Sequence, residues 1–251
     1  MKVVLFCGGQ GMRLREHSAG IPKPMVPVGD RPILWHLMRY YAHYGHTDFV
    51  LCLGWNGEYI REYFANLSNE DQRLSIDWHI ECVDTGLDSP VGQRLCKVKP
   101  LLAGEQTFLA NYADGLSDVD LNAIVAHHRR LKATATCLCV KPTQSFHLVD
   151  SVDGLAASIK PVSQTRQWMN GGYFVFEQAI FDVIHDGEDL ATEPFGRLIR
   201  QQKLACFDYR GFWGCMDTYK EKQDLDDMFN QNNTPWAVWD HTARPARLKV
   251  N

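Results

Sequence analysis

Long apolar runs, blocks of one charge and paired cysteine motifs are all scarce in this chain of 251 residues. The first apolar run spans only residues 3–6 before glycines begin, which is too short for a signal peptide or a membrane span. The 26 lysine and arginine residues stand against 30 aspartate and glutamate residues, and no basic block indicates a nucleic-acid partner. We therefore expect a cytoplasmic protein that binds neither membranes nor nucleic acids.

The eight cysteines include no C-x-x-C motif, and several lie inside apolar runs. This pattern is typical of buried thiols in a reducing compartment. Cys137 and Cys139 lie two residues apart, which on a strand places both side chains on one face. They could present two metal ligands, but no second pair accompanies them, so we do not expect a metal–thiolate site.

Strand-like and helix-like segments alternate through the first half of the chain. Helical spacing of three and four residues occurs over residues 33–41 and 121–125, where Asp118 or Asp120 could cap the helix, and a further helix-like segment covers residues 193–202. Apolar runs of strand length occur at residues 2–6, 48–54, 75–83, 106–112, 134–140, 171–176 and 203–209. The alternation predicts an α/β fold, a Rossmann-like three-layer sandwich with a mostly parallel central sheet that binds ligands at the carboxyl ends of its strands.

No internal repeat, low-complexity tract or proline-rich linker divides the chain. We expect a single domain over residues 1–251, with a first part at 1–140, a second part at 141–229 and a C-terminal tail at 230–251. The second part is less regular, and a loop is predicted from Lys141 to Gly154. Trp236 and Trp239 in the polar tail predict that it packs onto the domain or onto a neighbouring subunit, so a homo-oligomer is expected.

The first predicted strand leads into a glycine-rich segment that contains Gly8, Gly9 and Gly11 and is followed by Arg13 and Lys23. Glycines let the backbone turn tightly and bring its N–H groups close to an anion, and the two cations add positive charge. The spacing matches neither a P-loop nor a dinucleotide fingerprint. We interpret the segment as a phosphate-handling loop. A nicotinamide-dependent dehydrogenase is disfavoured, because Leu14 occupies the position of the third fingerprint glycine.

Two aspartates follow short apolar stretches and could hold Mg²⁺. Asp114 comes after the predicted strand at 106–112, and Asp217 after the stretch that ends at Met216. Mg²⁺ is usually bound by one or two carboxylates together with substrate phosphates. Each aspartate taken alone is more typical of a helix cap than of a metal ligand, so the pattern by itself leaves both interpretations open.

The glycine-rich segment with Lys23-Pro24 resembles the G-G-x-G-T-R-L and K-P motifs of the sugar nucleotidyltransferases, and among them those of the glucose-1-phosphate cytidylyltransferases. The likeness extends, in order, through residues 29–45, 83–95, 111–121, 169–176, 211–218 and 235–239. It covers nearly the whole chain and implies the nucleotide-diphospho-sugar transferase fold, with residues 1–140 as the nucleotide-binding part and residues 141–229 as the acceptor-binding or sugar-binding part.

The resemblance implies an Mg²⁺-dependent enzyme that couples an NTP with a sugar 1-phosphate and releases pyrophosphate, with CTP and glucose 1-phosphate as the first expectation. A phosphate oxygen of the acceptor would attack the α-phosphorus in line, so positioning and charge neutralisation would carry the catalysis. The resemblance assigns Arg13 to the leaving pyrophosphate and Lys23 to the α-phosphate. It assigns Asp114 and Asp217 to the metal. The other implied contacts are Gly8, Gly9, Gly11, Thr85 and Gly86 for the nucleotide, and Lys160, Asn170, Gly171 and Glu193 for the acceptor.

Several residues depart from the family pattern. Met12 replaces the usual threonine of the glycine-rich motif, Ile159 replaces the acidic residue before Lys160, and His147 lies where the family places a glycine near the sugar. Residues 89–94 also lack the family's T-G-G-R-L run. Because a lost hydroxyl acceptor removes discrimination for that hydroxyl, these changes favour a different acceptor or NTP over a loss of activity. A non-catalytic homologue that binds a nucleotide or sugar nucleotide is the remaining alternative.

Overall fold

The computed structural model describes residues 1–9, 20–67, 77–142 and 146–240. The predicted site residues Gly11 and Arg13, together with Met12, lie outside the described residues. The strands are β1 Val3–Phe6, β2 Pro27–Val28, β3 Arg31–Pro32, β4 Asp48–Leu53, β5 His79–Asp84, β6 Thr107–Tyr112, β7 Gly115–Ser117, β8 Ala135–Val140, β9 His147–Val152, β10 Leu155–Pro161, β11 Met169–Glu177, β12 Leu204–Tyr209 and β13 Trp213–Cys215. The α-helices are α1 Ile33–His43, α2 Gly57–Ala65, α3 Val91–Val98, α4 Leu121–Leu131, α5 Glu193–Arg200 and α6 Tyr219–Asn230.

A seven-stranded sheet forms the centre of the fold, in the order β12-β8-β11-β6-β1-β4-β5. β11 runs antiparallel to both of its neighbours, and the other pairs are parallel. Each of these strands coincides with one of the seven apolar segments predicted from the sequence. The mostly parallel α/β sheet is therefore confirmed, with one reversed strand that the pattern did not reveal.

The two faces of the sheet are each covered by helices. Val3 and Leu5 of β1 pack with buried residues of α1 and α4, whereas Val4 and Phe6 pack with those of α3 and α5. Alternate side chains of a strand point to opposite faces, so a continuous apolar run such as β1 must be buried on both sides. This arrangement gives the expected three layers. Among the described residues, no helix is long and apolar enough to cross a membrane.

The loop predicted from Lys141 to Gly154 is corrected by the structure, which has β9 within it. β9 pairs with β10 in an antiparallel hairpin. The two residues at its turn, Asp153 and Gly154, have φ angles of 50° and 81°. An Asp-Gly pair favours the tight turn of a two-residue hairpin because both positions need positive φ. That dipeptide was the available signal, and the exposed character of the flanking strands obscured it.

The structure also locates Trp236 of the tail and the two aspartates that precede α4. Trp236 is 1% exposed and belongs to the same core cluster as α1, so residues 230–240, the described part of the tail, pack back onto the rest of the chain. Asp120 is the N-cap of α4 and accepts a hydrogen bond from the Asn122 N–H. Asp118 instead accepts hydrogen bonds from Tyr209 and from the Phe212 N–H, so it joins α4 to the end of β12.

Candidate active site

Lys23 lies between the two aspartates that the sequence predicted as metal ligands. Its ammonium group contacts an Asp114 carboxylate oxygen at 2.6 Å and also forms a hydrogen bond with Asp217. These residues are 91 and 194 positions from Lys23 along the chain. Two separate carboxylates therefore converge on one cation-sized point beyond the carboxyl end of β6.

A small two-stranded ladder holds the two carboxylates together. β7 and β13 pair antiparallel with Cys215 opposite Gly115, and the Met216 N–H donates to the Asp114 carbonyl at 2.9 Å. These backbone hydrogen bonds fix the position of Asp114, which precedes Gly115, and of Asp217, which follows Met216. Asp114 and Asp217 are neighbours because the ladder makes them so.

The start of α6 fixes Asp217 from the other side. Thr218 is the N-cap, and Glu221 completes a capping box by accepting from the Thr218 N–H at 2.8 Å. The same carboxylate also accepts from the Asp217 N–H at 2.9 Å. A capping box satisfies N–H groups that the helix itself leaves unpaired. Here it also orients the backbone that carries Asp217.

The charge balance at this point favours a cation. Burial lowers the pKa of the Lys23 ammonium, but Asp114 and Asp217 outweigh that effect and raise the pKa above its ordinary value. Pro24 and Met25 are buried in the short turn Lys23–Met25, and they anchor the backbone of this lysine. The two carboxylates can hold one cation between them, either the ammonium or a metal ion.

A buried arginine, to which the sequence analysis gave no role, organises the predicted nucleotide-binding end. Arg94 on α3 is 4% exposed, and its guanidinium donates to the carbonyls of Gly8, Leu53, Gly86 and Leu87 and to the Thr85 hydroxyl. It thus joins the carboxyl ends of β1, β4 and β5. Burial lowers its pKa, yet arginine stays charged because the ordinary value is so high. The sequence signal for this burial was the position of Arg94 in the apolar stripe of the helix, next to Leu95 and three residues after Val91.

The position of Arg94 accounts for the small residue at position 8. A Cβ atom at Gly8 would lie 1.9 Å from Arg94 Nη1, so a larger residue there would displace the hydrogen-bonded guanidinium. A Cβ atom at Gly9 would meet no atom within 4 Å, which leaves that position open.

Thr85 and Gly86 lie beside the same guanidinium. The Thr85 side chain is fully buried and donates to the Leu53 carbonyl at 2.7 Å, so its hydroxyl is used inside the protein. Gly86 has a φ of 89°, which favours glycine. Any nucleotide contact of this pair would therefore involve its backbone, and that contact stays a prediction.

Asn170 and Gly171 are connected to the ladder that carries the aspartates. The Trp213 indole N–H on β13 donates to the Gly171 carbonyl at 2.8 Å. The Asn170 side chain accepts from the Gly172 N–H at 2.9 Å, and Gly172 has a φ of 79°. The Asn-Gly-Gly segment therefore forms an irregularity within β11, where the register of the β8–β11 pairing shifts, and it lies one hydrogen bond from β13.

Lys160 and Glu193 lie elsewhere on the surface. Lys160 on the β9–β10 hairpin lines an open cavity of about 560 Å³ together with Asp150, Ser158 and Arg166. Glu193 is exposed at the first position of α5, where a hydrogen bond from the Thr192 hydroxyl lowers its pKa. In the described part of the chain, neither residue has a hydrogen bond or ion pair to Lys23, Asp114 or Asp217.

Comparison with known proteins decides which family has this arrangement. Residues 2–223 match the family described as nucleotidyl transferase. The chain belongs to the nucleotidyl transferase family. A Bacillus subtilis (strain 168) relative, described as a probable glucose-1-phosphate cytidylyltransferase, is 34% identical over 255 residues, which cover 95% of this chain and 100% of the relative. The glucose-1-phosphate cytidylyltransferase of Salmonella typhi is 34% identical over 258 residues, covering 96% and 100%.

Solved structures extend the likeness to the fold. HddC from Yersinia pseudotuberculosis, solved with GMP-PN, superposes with a TM-score of 0.66 at 19% identity over 91% of this chain and 99% of that protein. The nucleotidyltransferase fold and family predicted from the sequence are thus confirmed.

Proposed function

We propose that this chain is an active sugar-phosphate nucleotidyltransferase that couples CTP with glucose 1-phosphate to give CDP-glucose and pyrophosphate. The observation that carries the proposal is the convergence of Lys23, Asp114 and Asp217 on one cation-sized point. Full-length relatives with that activity in their names, at 34% identity, support the choice of substrates. The residues that hold the charge are all present, as an intact phosphate chemistry requires.

Mg²⁺ fits this point in the donors it offers. Asp114 and Asp217 supply carboxylate oxygens, which are the ligands that Mg²⁺ prefers, and both already bind one cation, the Lys23 ammonium. We assign the metal to these two aspartates. When bound, Mg²⁺ would neutralise phosphate charge next to the α-phosphorus.

The remaining chemistry is positioning by the chain itself. The reaction needs no protein nucleophile, because an acceptor phosphate oxygen attacks directly. Lys23 is assigned to the α-phosphate and Arg13 to the leaving pyrophosphate, so that both charges are balanced as they develop. We assign the backbone of Gly8, Gly9, Gly11, Thr85 and Gly86 to the nucleotide.

The acceptor is assigned to the β9–β10 hairpin and the segment that follows it. Lys160 and Arg166 place two cations at one cavity, which suits a phosphate group, and Asp150 and Ser158 add groups for sugar hydroxyls. Asn170 and Gly171 adjoin the aspartate ladder through Trp213. Glu193 is retained as a further acceptor contact by its match to the family. Ile159 is exposed on the same hairpin, so its lost acidic group is the first place where the acceptor could differ.

The cellular context is also a proposal. All eight cysteines lie in the described residues as free thiols, which supports a reducing compartment such as the cytoplasm. The hairpin exposes Phe146, Val149, Val152, Leu155 and Ile159, and this apolar surface supports the predicted homo-oligomer.

The test is a matrix of five NTPs (ATP, CTP, GTP, UTP and dTTP) against a panel of sugar 1-phosphates with Mg²⁺, following pyrophosphate release and product mass. We expect CTP with glucose 1-phosphate to give the fastest turnover. Asp114→Asn and Asp217→Asn should each lower kcat by about 100-fold or more, since each removes charge where the phosphates react. Asp120→Asn is the matched control, because asparagine caps a helix as well as aspartate does and this residue lies outside the site.

The possible outcomes separate the alternatives. Turnover with another NTP or acceptor keeps the reaction class and changes the substrates. Nucleotide binding without pyrophosphate release from any pair would instead establish a non-catalytic homologue and refute the proposal.

A further inference from the structure

Three cysteine thiols converge at the edge of the central sheet, away from the aspartate pair. Cys137 and Cys139 lie on β8, and Cys206 lies on the edge strand β12. The two strands pair in parallel with Cys206 opposite Cys137, so all three side chains share one face of the sheet. The three sulfur atoms all lie within 4.8 Å of one another. The sequence predicted no thiolate site because the third thiol lies 67 or more residues away and joins the pair only through strand pairing.

The spacing of the sulfur atoms suits a bound metal ion. Cys137 Sγ and Cys139 Sγ are 3.8 Å apart. A tetrahedral zinc ion holds each sulfur at about 2.3 Å, which separates two bound sulfurs by about 3.8 Å. This pair is therefore already at ligand spacing. Cys206 is exposed, so its side chain can rotate to close the third distance.

The surroundings provide an entry path and a fourth ligand. Cys137 and Cys139 are 6% and 7% exposed, while Cys206 opens the cluster to solvent. Asp208 lies two residues after Cys206 and is opposite Cys139 in the same ladder, so it shares this face. A carboxylate or a water molecule at that side would complete four-coordinate geometry.

We propose that Cys137, Cys139 and Cys206 form a binding site for a thiophilic divalent cation, Zn²⁺, with its fourth position on the side of Asp208. The thiols release their protons to solvent on binding. The ion joins the edge strand β12 to β8. It also lies one strand from Asn170, which is opposite Cys139 in the β8–β11 pairing. The bound ion would thus hold β12 and β8 together beside the acceptor-binding segment.

The test uses the full chain, reduced and free of any affinity tag. It is titrated with Co²⁺, whose sulfur-to-cobalt charge-transfer absorption reports thiolate ligation and ignores the aspartate site, and then with Zn²⁺ as competitor. We expect one equivalent to bind with that absorption, and saturating Zn²⁺ to raise the melting temperature by about 5–10 °C. Cys206→Ser, at an exposed position, should weaken binding about 100-fold and remove the temperature shift. Asp208→Asn should weaken binding about 10-fold.

Cys82→Ser is the matched control. Cys82 is a half-buried thiol on β5, the edge strand at the opposite side of the sheet, and its loss should leave binding unchanged. Absence of the charge-transfer absorption in wild type would overturn the proposal. So would equal binding by Cys206→Ser, or a disulfide between Cys137 and Cys206 in the isolated protein that consumes two of the three ligands.

Discussion

The close approach of Gly8 to Arg94 makes a quantitative prediction about stability. In Gly8→Ala, the new Cβ atom would lie 1.9 Å from Nη1 and 2.4 Å from Cζ of Arg94, where ordinary contact begins at 3.4 Å. The guanidinium must therefore move by more than 1 Å, which breaks its hydrogen bonds of 2.7–3.1 Å to the strand ends. Hydrogen bonds from a charged donor contribute about 1.5–3 kcal/mol each, so losing two of them should lower the free energy of unfolding by about 3–6 kcal/mol.

A double-mutant cycle isolates this contact. Arg94→Ala should itself cost about 3–5 kcal/mol, because it leaves buried carbonyls unsatisfied. In the Arg94→Ala background the clash is gone, so adding Gly8→Ala should cost less than about 1 kcal/mol. The expected coupling free energy is therefore at least about 2 kcal/mol, well above the ~0.5 kcal/mol scatter of independent sites.

The assay is urea-induced unfolding of the two single variants, the double variant and wild type. Gly9→Ala is the matched control, since a Cβ atom there meets nothing within 4 Å, and it should change the free energy of unfolding by less than about 1 kcal/mol. Additive costs of Gly8→Ala and Arg94→Ala, within ~0.5 kcal/mol, would refute the energetic coupling of Gly8 to Arg94.

Three further predictions follow from the site and its supports. Glu221→Ala removes the capping box that also holds the Asp217 backbone, so we expect a melting temperature lower by about 2–4 °C and a higher Mg²⁺ requirement in turnover, with Glu221→Gln restoring both. Trp213→Phe removes the hydrogen bond to the Gly171 carbonyl, and it should raise KM for the sugar phosphate more than KM for the NTP; an equal rise in both would argue against the assigned acceptor side. Burial lowers the pKa of His36, so the unfolded state takes up its proton first, and stability present above about pH 6.5 is lost as the pH falls. Melting curves from pH 8 to pH 5 should show a shallower dependence in His36→Gln, and an unchanged slope would mean that His36 does not titrate on unfolding.

The sequence was sufficient for the strands of the central sheet, which depend on local pattern. Each of the seven strands lies in an apolar segment of strand length. A central strand such as β1 is covered on both faces and is apolar throughout, whereas the edge strands β5 and β12 also carry charged residues. The glycine-rich segment, Lys23, Asp114 and Asp217 were recognisable as a set by their likeness to a family signature. Asp120 could be named as one of two possible caps, although only the geometry separated it from Asp118.

Tertiary structure decided everything that depends on distant residues meeting. The ladder between β7 and β13 brings Asp217 to Asp114, and Arg94 joins three strand ends that are far apart in the chain. Pairing of β12 with β8 places Cys206 beside Cys137, although nothing in the local sequence links them. The physical reason is that periodicity reports which face of an element is buried, whereas strand order and register determine which buried or facing side chains become neighbours.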